Sequence, residues 1–185
     1  MIAGPDGVGK STLSQAIATQ MRGDRAVALF HQRASALPAR TNSPVVAPHR
    51  YGPYPAVLSV CKMAYLFVDV SLGWLFRVRP FVDRGGWVVI ERGAWDVAVD
   101  PARYRIALPP QFLRALADFL PEPSLIVVLE VSIDEAMRRK AELSREEFMR
   151  QTAAWRAIRP TAKVVFLDGT RPTADLVCEV VRALD

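Results

Sequence analysis

Hydrophobic and polar positions along the chain follow two rhythms. Short apolar runs of strand length recur at "RAVALF" (25–30), "WVVIE" (87–91), "SLIVVLEV" (124–131) and "AKVVFLDG" (162–169). The second and third are apolar almost throughout, as in strands covered on both faces. Between them lie longer segments with helical spacing. These are "KSTLSQAIATQMRG", closed by Gly23, residues 56–78, "PPQFLRALADFL" (109–120), "SREEFMRQTAAWRAI" (144–158) and "TADLVCEVVRAL" (173–184). Ser132 with Glu135, and Ser144 with Glu147, have the spacing of capping boxes. Gly85-Gly86 breaks the chain before the strand at 87. Strands alternating with helices predict an α/β domain over 1–185, a parallel sheet with helices on both faces. The first strand is short, because only Met1, Ile2 and Ala3 stand before a glycine-rich loop. This leaves open whether the start lies upstream or the core edge is thinly filled.

Two segments depart from this rhythm. "HQRASALPARTNSPVVAPHRYGPYP" (31–55) is proline-rich and too long for an idle connection, so it is a candidate substrate loop. Pro55–Phe76 is apolar and long enough to cross a membrane. Lys62 and Asp69, however, would each cost about 2.5–3.5 kcal/mol near a bilayer centre. Ser59, Lys62, Asp69 and Gly73 fall on one helical face, which predicts a buried soluble helix whose polar stripe faces a cleft.

Composition narrows the picture. A chain of 185 residues, 51% hydrophobic and 23% charged, suits one soluble domain. The net charge of +5 is carried by arginine, the only lysines being Lys10, Lys62, Lys140 and Lys163. Arginine pairs bidentately with phosphate and carboxylate, which suits an anionic substrate, although a coding bias would enrich it equally. The charges are scattered, so no nucleic-acid partner is expected. Cys61 and Cys178 lie in apolar helical patterns and read as buried free thiols of a reducing compartment. With no signal peptide before the loop at residue 4, the expected location is cytoplasmic.

The chemistry begins at "GPDGVGKST", Gly4–Thr12, which fits the pattern G-x-x-x-x-G-K-[ST]. Glycines at 4, 7 and 9, with Pro5, Asp6 and Val8 between them, let the loop's backbone N–H groups and the following helix end turn toward phosphate oxygens. Lys10 would reach the outer phosphates, and Ser11, followed by Thr12, would offer a hydroxyl to Mg²⁺.

Asp6 inside this loop makes it resemble that of the thymidylate kinase family of nucleotide-monophosphate-kinase-like proteins, in which the corresponding acid faces the acceptor's sugar hydroxyl. A second likeness runs from Asp69 through Pro80 and Gly85 to Glu91-Arg92. It implies that Glu91 stands near Mg²⁺ and the acceptor phosphate, and that Arg92 grips an anionic group of the acceptor. A charged pair at the carboxyl end of a buried strand also lies where α/β sheets bind ligands; a surface salt bridge is the alternative. The segment at about 135–147 resembles the family's mobile lid, with Arg138, Arg139 and Lys140 available to stabilise a transferring phosphoryl group. A solvated helix face would look the same. "FLDGTRP" (166–172) resembles the loop that touches adenine.

The resemblance covers nearly the whole chain in order, with the loop its one specific motif. It implies a three-layer P-loop NTPase fold with about five parallel strands. It also implies an ATP- and Mg²⁺-dependent phosphotransferase acting on a nucleotide or other small phosphorylated acceptor. The departures fall on the acceptor side. Val70 replaces an arginine used on the thymine base, Gly93 replaces a tyrosine, and Arg33 is the nearest basic residue where an arginine-glutamate-proline segment is expected. Thymidylate is therefore not the expected acceptor. Trp74, Trp87, Trp95 and Trp155 could line a different pocket or simply fill the core. The alternative function is a regulatory nucleotide-binding protein that transfers nothing. A hydrolytic switch is disfavoured, since no N-K-x-D motif is present. A homodimer is left open, and no membrane is expected.

Overall fold

The computed structural model describes residues 1–23, 25–31, 34–36, 52–139 and 143–184. Most of the candidate substrate loop, with Arg33, and Lys140 lie outside these residues. The elements run β1 (Ile2–Ala3), α1 (Lys10–Met21), β2 (Val27–Phe30), α2 (Ala56–Gly73), a π-helical turn (Trp74–Val78), α3 (Arg79–Asp83), β3 (Trp87–Ile90), α4 (Ala94–Val99), α5 (Pro110–Ala117), β4 (Leu125–Glu130), α6 (Ile133–Arg139), α7 (Arg145–Arg156), β5 (Lys163–Asp168) and α8 (Thr173–Leu184). The strands and helices expected from periodicity are present, with α3 added after the helix at 56–78 and α4 after Glu91-Arg92.

The single sheet of about five strands is not formed. Instead β1, β4 and β5 make a three-stranded parallel sheet in the order β1-β4-β5, and β2 pairs in parallel with β3 in a second sheet. The cause is the length of β1. Two residues reach β3 only through an isolated parallel bridge, Ile2 to Glu91, supported by the Arg92 N–H donating to the Ile2 carbonyl at 3.3 Å. Below that bridge the sheets part around an apolar cleft of about 790 Å³, with Trp87, Val89, Trp95 and Val127 among its walls.

Alternate residues of β4 feed two cores, as the period of a strand requires. Leu125, Val127 and Leu129 point to one side, packing with Leu13 and Ile17 of α1, Phe148 of α7 and Leu176, Val177 and Val180 of α8. Ile126 and Val128 point to the other, among Trp95, Val99, Ala117, Trp155 and Ile158. Both faces of β4 are thus helix-covered, as its continuous apolar run implied. Trp95 and Trp155 are core residues, whereas Trp74 and Trp87 lie under the guanidinium groups of Arg79 and Arg25.

Three local expectations need correction. Helix α2 is not a buried helix: only 28% of its most apolar window is inside the protein. Of its polar stripe, Ser59, Asp69 and Gly73 are buried, whereas Lys62 is only half-buried. Cys61 and Cys178 are free but exposed, because each lies on the outer face of its helix. The capping boxes are half formed. Ser132 and Ser144 accept from the N–H groups of Glu135 and Glu147 at 3.3 and 3.2 Å, while both glutamate carboxylates turn to neighbouring arginines.

Asp69 ties residues 35 and 36, at the start of the candidate substrate loop, to α2. The hydroxyl of Ser35 lies 2.8 Å from each of its carboxylate oxygens, and the Ala36 N–H donates to Oδ1 at 3.0 Å. Gly73 permits that approach, since a Cβ there would sit 1.5 Å from the Ala34 carbonyl oxygen.

Candidate functional site

The glycine loop leaves β1, crosses the carboxyl end of the three-stranded sheet and enters α1. Gly4, Gly7 and Gly9 have φ of 130°, 88° and 97°, the left-handed region that only glycine enters at little cost. A Cβ on Gly4 would also meet the Leu129 carbonyl at 2.5 Å. Gly9 caps α1, whose first residue is Lys10. Pro5 and Val8 are buried beneath the loop, and Ser11 and Thr12 are exposed on the first turn of α1.

Lys10 is folded back into its own loop. Its ammonium donates to the carbonyls of Gly4 (2.8 Å) and Pro5 and stands 3.6 Å from Oδ1 of Asp6. Burial first, and then the Arg92 charge, bring its pKa down to about 8 against the pull of Asp6. Asp6 does not present a free carboxylate. Arg92 Nη2 donates to its Oδ1, and Arg103 Nη1 donates to its Oδ2 at 2.6 Å. Burial pushes the Asp6 carboxyl up, but Lys10, Arg92 and Arg103 together outweigh it and hold the group well below the usual carboxylate range.

Glu91 and Arg92 come together with the loop but not with each other: the ion pair of Arg92 is with Asp6 and is largely buried. Glu91 is buried at the end of β3. It accepts from Ser11 Oγ at 2.8 Å and from Ser14 Oγ, and its Oε1 lies 2.9 Å from His31 Nδ1. Arg92 sits at φ 63°, an unfavourable conformation for a side-chain-bearing residue. That turn aims its guanidinium back at Asp6. Asp96 stabilises the next residue, accepting from the Gly93 N–H at 2.7 Å. Burial pushes the Asp96 carboxyl up to about 6 despite the nearby Arg92 and Lys10 charges.

Arg138 and Arg139, the two arginines of the candidate lid, separate. Arg138 is exposed and bound through Nε and Nη2 to Glu135, both at 2.9 Å. Arg139 also reaches Glu135, at 2.6 Å, but its Nη1 donates to the Gly169 carbonyl at 3.0 Å, and a Cβ on Gly9 would lie 3.8 Å from that nitrogen. Arg139 therefore bridges the end of β5 and the glycine loop, whereas Arg138 faces solvent. Gly169 itself packs on the loop, since a Cβ there would meet the Val8 carbonyl at 2.7 Å.

Beside Arg92 lies a small apolar pocket of about 30 Å³ walled by Met63, Leu66, Val70, Val97 and Tyr104. Gly93 closes against Met1, whose sulfur a Cβ at 93 would approach to 2.2 Å, so a larger residue there requires the Met1 side chain to move.

Ser11 Oγ and the Glu91 carboxylate form a pair of hard oxygen donors, which fits Mg²⁺, an ion that keeps several waters and takes few protein ligands. Among the described residues no cluster of three metal-binding side chains occurs. The left-handed glycine backbone at the head of α1 fits a polyphosphate. Ser14, His31, Asp96 and Arg103 join the site without having been singled out from sequence. Ser14 was within reach, lying one turn after Ser11 on α1, and Asp96 three residues after Gly93. Arg103, 97 residues from Asp6, carries no motif. In comparisons with known proteins, the chain matches no protein-family model and no curated protein.

Proposed function

We propose that the chain is an ATP- and Mg²⁺-dependent phosphotransferase with a thymidylate kinase-like P-loop fold, acting on a small phosphorylated acceptor. The observation that carries this reading is the convergence on one glycine loop of Lys10, the Ser11–Glu91 pair and the Asp6–Arg92–Arg103 cluster. Gly4–Thr12 would bind the triphosphate, with Lys10 turning from the Gly4 and Pro5 carbonyls to the phosphates. Ser11 and Glu91 would hold Mg²⁺, which supplies charge neutralisation across the phosphates. Arg92 would hold the acceptor's anionic group and Arg139 would add positive charge beside Gly9, with Arg138 brought in when the lid closes. Catalysis on this reading is positioning and charge stabilisation.

A second reading, a regulatory nucleotide-binding protein without transfer, is favoured by one observation: Asp6 already pairs with Arg92, the guanidinium assigned to the acceptor, and with Arg103. A single panel separates them. Protein with Mg-ATP and phosphorylated nucleosides and sugars should release ADP in an acceptor-dependent way; ATP binding with no such turnover selects the regulatory reading. Lys10→Ala should abolish the calorimetric Mg-ATP signal. Arg92→Ala should raise acceptor KM or lower kcat and leave ATP affinity within about threefold, since on this reading Lys10 and the loop backbone hold the triphosphate and Arg92 the acceptor. If Arg92→Ala weakens ATP itself, the acceptor assignment fails.

A further inference from the structure

Both oxygens of the Asp6 carboxylate are already taken, and by two different guanidinium groups. Arg92 Nη2 donates to Oδ1, and Arg103 Nη1 donates to Oδ2 at 2.6 Å. A guanidinium carries five N–H donors in a rigid fork. Each arginine gives Asp6 one nitrogen, and among the described residues neither side chain donates to any other group. The pair thus converges on two neighbouring oxygens with donors to spare.

Neither arginine is a loose surface side chain. Arg92 is fixed by its φ of 63° just past β3, and its side chain is 18% exposed. Arg103, 25% exposed, stands on a tightly built turn after α4. Its backbone N–H donates to the buried Asp100 at 3.1 Å. The N–H groups of Tyr104 and Arg105 return to the carbonyls of Pro101 and Ala102 at 3.1 and 2.9 Å. Tyr104, the next residue, walls the small pocket beside Arg92. Positive charge prevails here: Lys10, Arg92 and Arg103 face Asp6, and with Asp96 included the cations still outnumber the carboxylates. Guanidinium forks match the paired oxygens of carboxylate and phosphate alike, and a dianion is drawn to such a cluster more strongly than a single charge.

We propose that Arg92 and Arg103 are the two halves of a clamp for a phosphate dianion, and that Asp6 fills the clamp as an internal competitor which the phosphate displaces. The displaced carboxylate keeps a partner in Lys10, whose ammonium is 3.6 Å from its Oδ1. Arg103 then sets specificity, favouring a ligand that brings two charges over one that brings a hydroxyl. Assigning this phosphate to the acceptor rests on the proposed function; the clamp itself does not. The terminal phosphate of the donor has the same chemistry, and the experiment separates the two.

The test is calorimetry of methyl phosphate at pH 7.5, where a phosphate monoester is mostly dianionic, with excess Mg²⁺-tripolyphosphate to fill the glycine loop. Asp6→Asn should bind methyl phosphate roughly tenfold more tightly than wild type, and Arg103→Gln roughly tenfold more weakly. Arg103→Lys should be nearly as weak as Arg103→Gln, because an ammonium keeps the charge but not the fork. The Asp6→Asn/Arg103→Gln variant should lose the gain made by Asp6→Asn. Tripolyphosphate affinity, titrated alone, should change by less than about threefold in both Arg103 variants. An Asp6→Asn protein that binds methyl phosphate no more tightly than wild type overturns the competitor role. An Arg103→Lys protein that binds like wild type overturns the clamp, since a diffuse positive field would then suffice, and it decides the matter even if Asp6→Asn fails to fold. Arg103 variants that weaken tripolyphosphate instead overturn the acceptor assignment and give the clamp to the donor. The expected phosphate results without acceptor-dependent ADP release would uphold the clamp and fail only the phosphotransfer reading.

Discussion

Replacing Asp6 with asparagine removes one negative charge from a cluster that otherwise holds Lys10, Arg92 and Arg103. The carboxylate is only 11% exposed, accepts from both guanidiniums, and lies 3.6 Å from the ammonium. Charge-assisted hydrogen bonds contribute about 1.5–3 kcal/mol each, and an ionised carboxylate returns part of that through its desolvation cost. Taking one partner out of a buried ion pair costs about 3–5 kcal/mol, since the remaining charges lose their counter-ion. Asp6→Asn should therefore lose about 3 kcal/mol at neutral pH, or about 10 °C in Tm for a chain of this size. The pH dependence follows from the depressed carboxyl. Its stabilisation is fully present above the unfolded value of 3.8 and is lost as pH falls toward the folded value. The gap between wild type and variant should thus be full at pH 7 and shrink in acid. Urea denaturation at pH 7 and near pH 3 measures both. A variant within about 1 kcal/mol of wild type at pH 7 would refute the idea that Asp6 is the counter-ion of this cluster.

Gly73→Ala should destabilise by about 2–4 kcal/mol in urea denaturation, although alanine favours helix, because its methyl would displace Ala34 and unseat Ser35 and Ala36 from Asp69. A neutral or stabilising result would mean that residues 34–36 do not dock there. Asp96 carries a raised carboxyl, so its favourable state is the protonated one, retained below 3.8 and lost as pH climbs through about 6. The cost of ionising it is about 3 kcal/mol. Asp96→Asn should match wild type near pH 4 and exceed its stability at pH 7.5 by up to that amount, as read from urea midpoints; a variant that keeps the wild-type pH slope would contradict this.

The glycine loop and its flanking strand and helix were legible because their chemistry is contiguous: three glycines, a lysine and a serine within nine residues. Glu91 and Arg92 were legible because they end an apolar run. What they bind was not, since their partners Ser14 and Asp6 lie 77 and 86 positions away and are brought to them only by tertiary packing. The polar stripe of α2 marked one face correctly. It could not reveal that the opposite face is open, because a helix apolar nearly all round reads as buried whatever covers it. The split of the sheet was signalled only by the shortness of the first strand. It follows from β1 being two residues long, too short to hold β3 along its length, and no pattern within β2 or β3 records that.

The retracted ammonium of Lys10 has a consequence for the thermodynamics of ligand capture. With its pKa near 8, a part of the protein population carries no proton on that nitrogen in mildly alkaline solution. An anion entering the loop favours the charged form, so its arrival must draw hydrogen ions from the medium, and affinity declines as alkalinity increases. Heats measured in buffers of unlike ionisation enthalpy would then differ by the protons taken up, which makes the buffer itself a reporter of where this one side chain goes.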